Sequence, residues 1–104
     1  MKTRYKKGGY TEKVAREYIE ENEAVYSVSI ELEEQYKFVD KKRTDEITGY
    51  KAWFSQKGLP PFAVKFENKI SLPEYLSIVT FENLQGIEVN YNVYFKADNI
   101  KVVK

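Results

Sequence analysis

"YKAWFSQ", Tyr50–Gln56, is the stretch on which the reading of this chain turns. Apolar and polar side chains alternate along it with a period of two, the signature of a half-buried strand. With Tyr50, Ala52 and Phe54 packed inward, Lys51, Trp53 and Ser55 project outward, and the single tryptophan stands beside a lysine on the solvent face. A one-residue slip or a bulge exchanges the two faces and makes Trp53 the core anchor, with Tyr50 and Phe54 exposed. Both registers are open at this level.

Downstream, "KGLPP" must interrupt the strand, because two consecutive prolines cannot donate ladder hydrogen bonds. "FAVKFEN" alternates again, with Phe62, Val64 and Phe66 inward and Ala63, Lys65 and Glu67 outward. "SLPEYLS" reads as a short turn or a single helical turn with Leu72, Tyr75 and Leu76 as apolar contacts, "IVTFEN" as a strand and "LQG" as a turn. "IEVNYNVYFK" gives the longest alternation, with Val89, Tyr91, Val93 and Phe95 on one side and Tyr94 and Lys96 on the other. Lys96 to Asn99 then turn the chain into a last strand, "NIKVVK".

Upstream, "DKKRTDEITG" reads as an exposed polar loop. Before it, Tyr26, Val28, Ile30 and Leu32 share one face of a strand, with Ser27, Ser29, Glu31 and Glu33 on the other. Thr11 is placed to cap a helix of roughly three turns whose stripe is Val14, Ala15, Tyr18 and Ile19. Residues 1–10 are basic, contain Gly8-Gly9 and read as a flexible arm before a single β-rich domain, 11–104. About six short strands and one helix predict a mainly β fold: a small antiparallel barrel or a strongly curled sheet with an N-terminal helix.

Composition narrows the chemistry. The 104 residues contain no cysteine and no histidine, which removes disulfides, thiol nucleophiles, imidazole bases and Cys/His zinc sites. No paired catalytic motif stands out among the remaining carboxylates, lysines and hydroxyls, and Gly8-Gly9 lacks the spacing of a phosphate-binding loop. The expectation is a protein that is not an enzyme and holds no cofactor or metal. No apolar run approaches a bilayer span and "MKTRYKKGGY" lacks a signal-peptide core, so a cytoplasmic protein without membrane contact is expected.

The formal charge of +1 conceals segregation. Up to Arg16 the charges are Lys2, Arg4, Lys6, Lys7, Lys13 and Arg16 against Glu12, whereas from Glu17 to Glu34 every charge is acidic. Basic residues return in Lys37, Lys41, Lys42, Arg43, Lys51 and Lys57. Aromatic residues make up 15% of the chain and nine are tyrosines, more than a small core needs.

The run of "TDEITGY", "FAVKFENKISLPEY", "TFEN" and "NVYFKADNIKVV" resembles the YdcP-like small proteins of integrative and conjugative elements. The resemblance covers roughly Gln35 to Lys104, and its most specific part is the aromatic strand followed by Lys96-Ala97-Asp98. It implies a helicase-processivity or single-stranded DNA-binding accessory role in plasmid-like replication and conjugative transfer, on a fold similar to an oligonucleotide-binding barrel. It brings no catalytic residues and no nucleotide-contacting set.

Proteins that hold single-stranded DNA without strong sequence preference join a basic groove to aromatic faces on which bases stack. Lys51, Trp53, Lys65, Tyr94 and Lys96 are the candidates for that surface, with Lys41, Lys42 and Arg43 as a clamp and Lys2, Arg4, Lys6 and Lys7 as an electrostatic arm. The acidic stretch is expected to point away from it, as solvated surface or as a dock for a helicase or relaxase. An adaptor that recruits such a partner without touching DNA is the competing expectation.

Overall fold

Ala52 and Phe54 are fully buried while Lys51 and Trp53 stay half-buried on the opposite face, so the first of the two registers is the one the chain adopts. The structure is a computed structural model that describes residues 9–103. One helix, α1 (Glu12–Tyr18), precedes eight strands: β1 (Val25–Ser27), β2 (Glu33–Val39), β3 (Lys42–Gln56), β4 (Phe62–Phe66), β5 (Ile78–Glu82), β6 (Gln85–Val89), β7 (Asn92–Lys96) and β8 (Asn99–Val102). They form one mixed sheet in the order β6-β7-β4-β3-β1-β5-β8, with β2 on β3. The curled sheet with one helix is therefore what forms. The closed antiparallel barrel is not: the order does not close on itself, and β4 and β7 run parallel.

Phe54 is the pivot of the core. Its ring lies 4.9 Å from that of Phe81, 6.2 Å from Phe62 and 6.5 Å from Phe66, in tilted and edge-on contacts that aromatic pairs favour. Val64, Phe66, Val79 and Phe95 complete the buried side, as the alternation of Phe62, Val64 and Phe66 predicted.

The face assigned to the strand after Ala24 is reversed. Val25, Ser27 and Ser29 are buried, while Tyr26 is 38% and Ile30 83% exposed. The reason is steric: β1 lies between β3 and β5, and Ser27 stands directly opposite Phe54, where a large side chain has no room. Leu32 alone of the expected apolar face except half-buried Val28 packs toward the core.

Two connections also differ. "DKKRTDEITG" is a hairpin rather than a loop: Asp40 and Lys41 make a two-residue turn with φ of 52° and 67°, and Lys42 onward is already β3. Left-handed φ at both turn residues matches the right-handed twist of the strands, a geometry usually signalled by Asn-Gly or Asp-Gly. "IEVNYNVYFK" is likewise two strands, β6 and β7, joined at Asn90 (φ 58°) and Tyr91. Val89 and Tyr91 are exposed as a result.

The C-terminal quarter is one long bent hairpin. The pairing of β5 with β8 and of β6 with β7 keeps one register, from Val79 opposite Val102 to Val89 opposite Asn92. The bend at Asn83-Leu84 and Ala97-Asp98 sends its halves to opposite ends of the sheet order, so β8 returns to β5 and not to β7. Gln85 and Gly86 belong to β6, and "SLPEYLS" is irregular, with a turn at Tyr75-Leu76 and both side chains exposed.

Helix α1 has two turns rather than three. Thr11 caps it, its Oγ1 accepting from Val14 N at 3.2 Å, and Ala15 and Ile19 are buried. Thr11 also exchanges backbone hydrogen bonds with Gly86, at 2.9 and 2.8 Å. A Cβ on Gly86 would stand 3.1 Å from Ala15 N, so the absence of a side chain lets the helix sit on β6. Where the helix ends, the buried Gln56 amide holds the following turn: it accepts from Glu20 N and donates to the carbonyls of Glu20 and Glu23.

Candidate nucleic-acid interface

Strand alternation and register together build a row of cations. Lys51 on β3 stands opposite Lys65 on β4, and Lys65 stands beside Lys96 on β7. The row is flanked by Glu33 of β2, opposite Lys51, and by Gln85 of β6, opposite Lys96. All three lysines are half-buried. Like charges directly opposite one another in a sheet work against folding, so this arrangement is not a packing solution. Gly49 makes space for it: a Cβ there would lie 2.8 Å from the Lys65 side chain.

Two residues further along β3, on the same face, stands Trp53, opposite Ala63 of β4. The indole is half-buried there, with Lys51 Nζ 5.4 Å from its ring centroid. The backbone of Trp53 is pinned: its N–H donates to Ser29 Oγ at 2.6 Å and its carbonyl accepts from Val28 N at 3.0 Å. Tyr94 lies on β7, two residues before Lys96 and on the same face, and is half-exposed. Lys51, Trp53, Lys65 and Tyr94 line one open groove of about 590 Å³. Lys96 lines a smaller hollow beside it, shared with Lys65 and Tyr10.

Three tyrosines that the sequence did not mark as site residues enlarge the aromatic lining: Tyr10, Tyr18 and Tyr91. Tyr10, counted with the arm, is half-buried, and Lys96 Nζ lies 4.7 Å from its ring centroid in a cation–π contact. Tyr18, read as helix core, is at the rim, its ring edge-on to Phe95 and its hydroxyl donating to Glu88. Burial first, and then nearby Tyr94, push the Tyr10 hydroxyl above the ordinary tyrosine range. The hydrogen bond to Glu88, with desolvation and the charges of Glu88 and Glu17, raises Tyr18 as well.

Not every candidate converges here. Lys41, Lys42 and Arg43 are at the tip of the β2–β3 hairpin, about 30 Å of extended strand from Lys51, and none lines the groove. Arg43 lies 4.6 Å over the ring of Tyr36, whose hydroxyl donates to Glu34 at 2.6 Å and is raised chiefly by that bond. Lys2, Arg4, Lys6 and Lys7 fall outside the described residues. The acidic stretch does not point wholly away. Glu33 enters the surface, accepting from Trp53 Nε1 at 2.8 Å and approaching Lys51 Nζ at 3.6 Å. Pairing β2 against β3 forces this, because register places Glu33 across from Lys51.

A second cleft, of about 300 Å³, lies between α1 and β5. Ile19, Val79, Phe81 and Leu84 form its apolar part, and Glu12, Glu20, Glu21 and Glu23 a mainly acidic rim that also holds Arg16, paired with Glu21 at 3.1 Å. Among the described residues no group of three carboxylates is placed to hold a metal ion, and no helix is long and apolar enough to cross a membrane. Compared with known proteins, the chain matches no family model, no curated protein and no solved structure.

Proposed function

We infer that this protein binds single-stranded DNA through the β3–β4–β7 surface, without enzymatic activity. The observation that carries this is the lysine row Lys51–Lys65–Lys96 running beside Trp53 and Tyr94 on one face. Cations on three neighbouring strands can engage phosphates of one backbone, and the neighbouring rings offer faces to unpaired bases, each stack being worth roughly 1–3 kcal/mol. Duplex DNA keeps its bases stacked internally and cannot use those rings. The resemblance of Gln35–Lys104 to YdcP-like proteins supplies the setting: a cytoplasmic accessory of plasmid or conjugative-element replication and transfer, working with a helicase or relaxase.

Titrating a short oligothymidylate while following Trp53 fluorescence tests the reading. Quenching that weakens steeply with added salt is expected. Absence of salt-sensitive binding at low ionic strength overturns it.

The acidic cleft between α1 and β5 favours a second role, docking of a basic segment of a partner protein. A pull-down that keeps its full strength after Lys51, Trp53, Tyr94 and Lys96 are replaced by alanine would separate partner recruitment from the DNA surface.

A further inference from the structure

Glu33 is the acid that contacts Lys51 and Trp53, and its contacts are those an anionic ligand would make. Its carboxylate takes the indole N–H at 2.8 Å and lies 3.6 Å from the Lys51 ammonium, itself 5.4 Å from the indole centroid. An N–H donor and a cation converging on one oxyanion form an anion subsite. The subsite is shallow: the Glu33 side chain is 49% and that of Lys51 30% exposed, and ion pairs of such exposure are weak and screened by salt. An external anion with more than one point of attachment can therefore replace the carboxylate.

We propose that Lys51 and Trp53 Nε1 form a phosphate subsite which the Glu33 carboxylate occupies in the free protein, and which a phosphate of the bound single strand takes over by displacing it. This rests on the reading of the surface as a single-stranded DNA site and deepens it. Glu33 relieves the like-charge row at one end when no ligand is present, leaving Lys65 and Lys96 to make first contact. As the strand engages, its phosphate inherits both the Lys51 contact and the indole donor. Glu33 then turns to solvent, which its exposure permits. The carboxylate thereby lowers affinity for isolated phosphates or short anions and favours ligands long enough to hold Lys65 and Lys96 as well.

The test uses the full chain with Glu33→Gln, whose amide oxygen still accepts from Trp53 Nε1 but carries no charge. Oligothymidylate affinity is expected to rise about fivefold. The dependence of log K on log salt should keep its slope, because the same phosphates are held in both complexes. Adding Lys51→Gln should cancel the gain and flatten the slope by about 0.7, the share of one phosphate on a single strand, since the cation is then missing. Unchanged affinity in Glu33→Gln, with measurable wild-type binding, would overturn the subsite while leaving the broader reading intact. No salt-sensitive binding by either protein would overturn both.

Discussion

Strand β3 contains two regions that share a backbone and little else. From Lys42 to Thr48 it is almost wholly exposed, paired only with β2 in an arm without a core. From Gly49 to Gln56 its side chains alternate between full burial and a half-open face, with β4 on one side and β1 or β2 on the other. Hydrogen-bond pairing and a twist-compatible turn are enough to make the first region a strand; the second is fixed by packing. The candidate site lies in the second region, where burial of alternate residues locks the outward ones in place.

Substitutions that should break the contrast begin with Phe54→Ala, which empties the centre of the aromatic cluster. A loss of about 3–5 kcal/mol in urea denaturation is expected. Gln56→Ala should cost about 1–3 kcal/mol, because it removes a buried amide that makes three hydrogen bonds to the backbone of Glu20 and Glu23. Trp53→Ala is expected to remove about 1–3 kcal/mol of oligothymidylate binding, read by fluorescence anisotropy of a labelled oligonucleotide. Phe38→Ala, on the arm and 63% exposed, should change stability by no more than about 0.5 kcal/mol. A larger change would mean the arm packs against something.

The smallest effect expected is a pH dependence. The raised Tyr18 hydroxyl contributes stability that is fully present below the unfolded tyrosine pKa, about 10, and is lost as pH rises through the higher folded value. Urea midpoints of wild type and Tyr18→Phe should therefore converge in strong alkali. A constant difference between them would remove the Tyr18–Glu88 bond as its cause.

Alternation made the second region legible. Tyr50–Gln56 and Phe62–Phe66 each alternate apolar and polar positions, so the period placed Lys65 outward and narrowed Lys51 and Trp53 to two registers, between which burial of Ala52 and Phe54 decides. The first region was illegible for the same reason: Lys42–Thr48 has no buried face, and the Asp40-Lys41 turn lacks the glycine that usually marks such geometry. The segment Val25–Ile30 misled because the large residues Tyr26 and Ile30 face out, and Ser27 fills the position opposite Phe54. In "IEVNYNVYFK" an unbroken alternation concealed the turn at Asn90-Tyr91, although Tyr94 and Lys96 were placed on the correct face. The contribution of Tyr10, Tyr18 and Glu33 depends on pairing between distant segments, which no local pattern encodes.

The central claim is that the lysine row and the rings beside it act together on a single strand. Its most direct test compares the salt dependence of oligothymidylate binding by wild type and by Lys65→Gln/Lys96→Gln. The account predicts that the slope of log K against log salt falls by about 1.4, two phosphates' worth, while the thermal transition is unchanged or raised as like-charge repulsion is relieved. An unchanged slope with undiminished affinity would contradict it, placing any DNA contact elsewhere on the molecule.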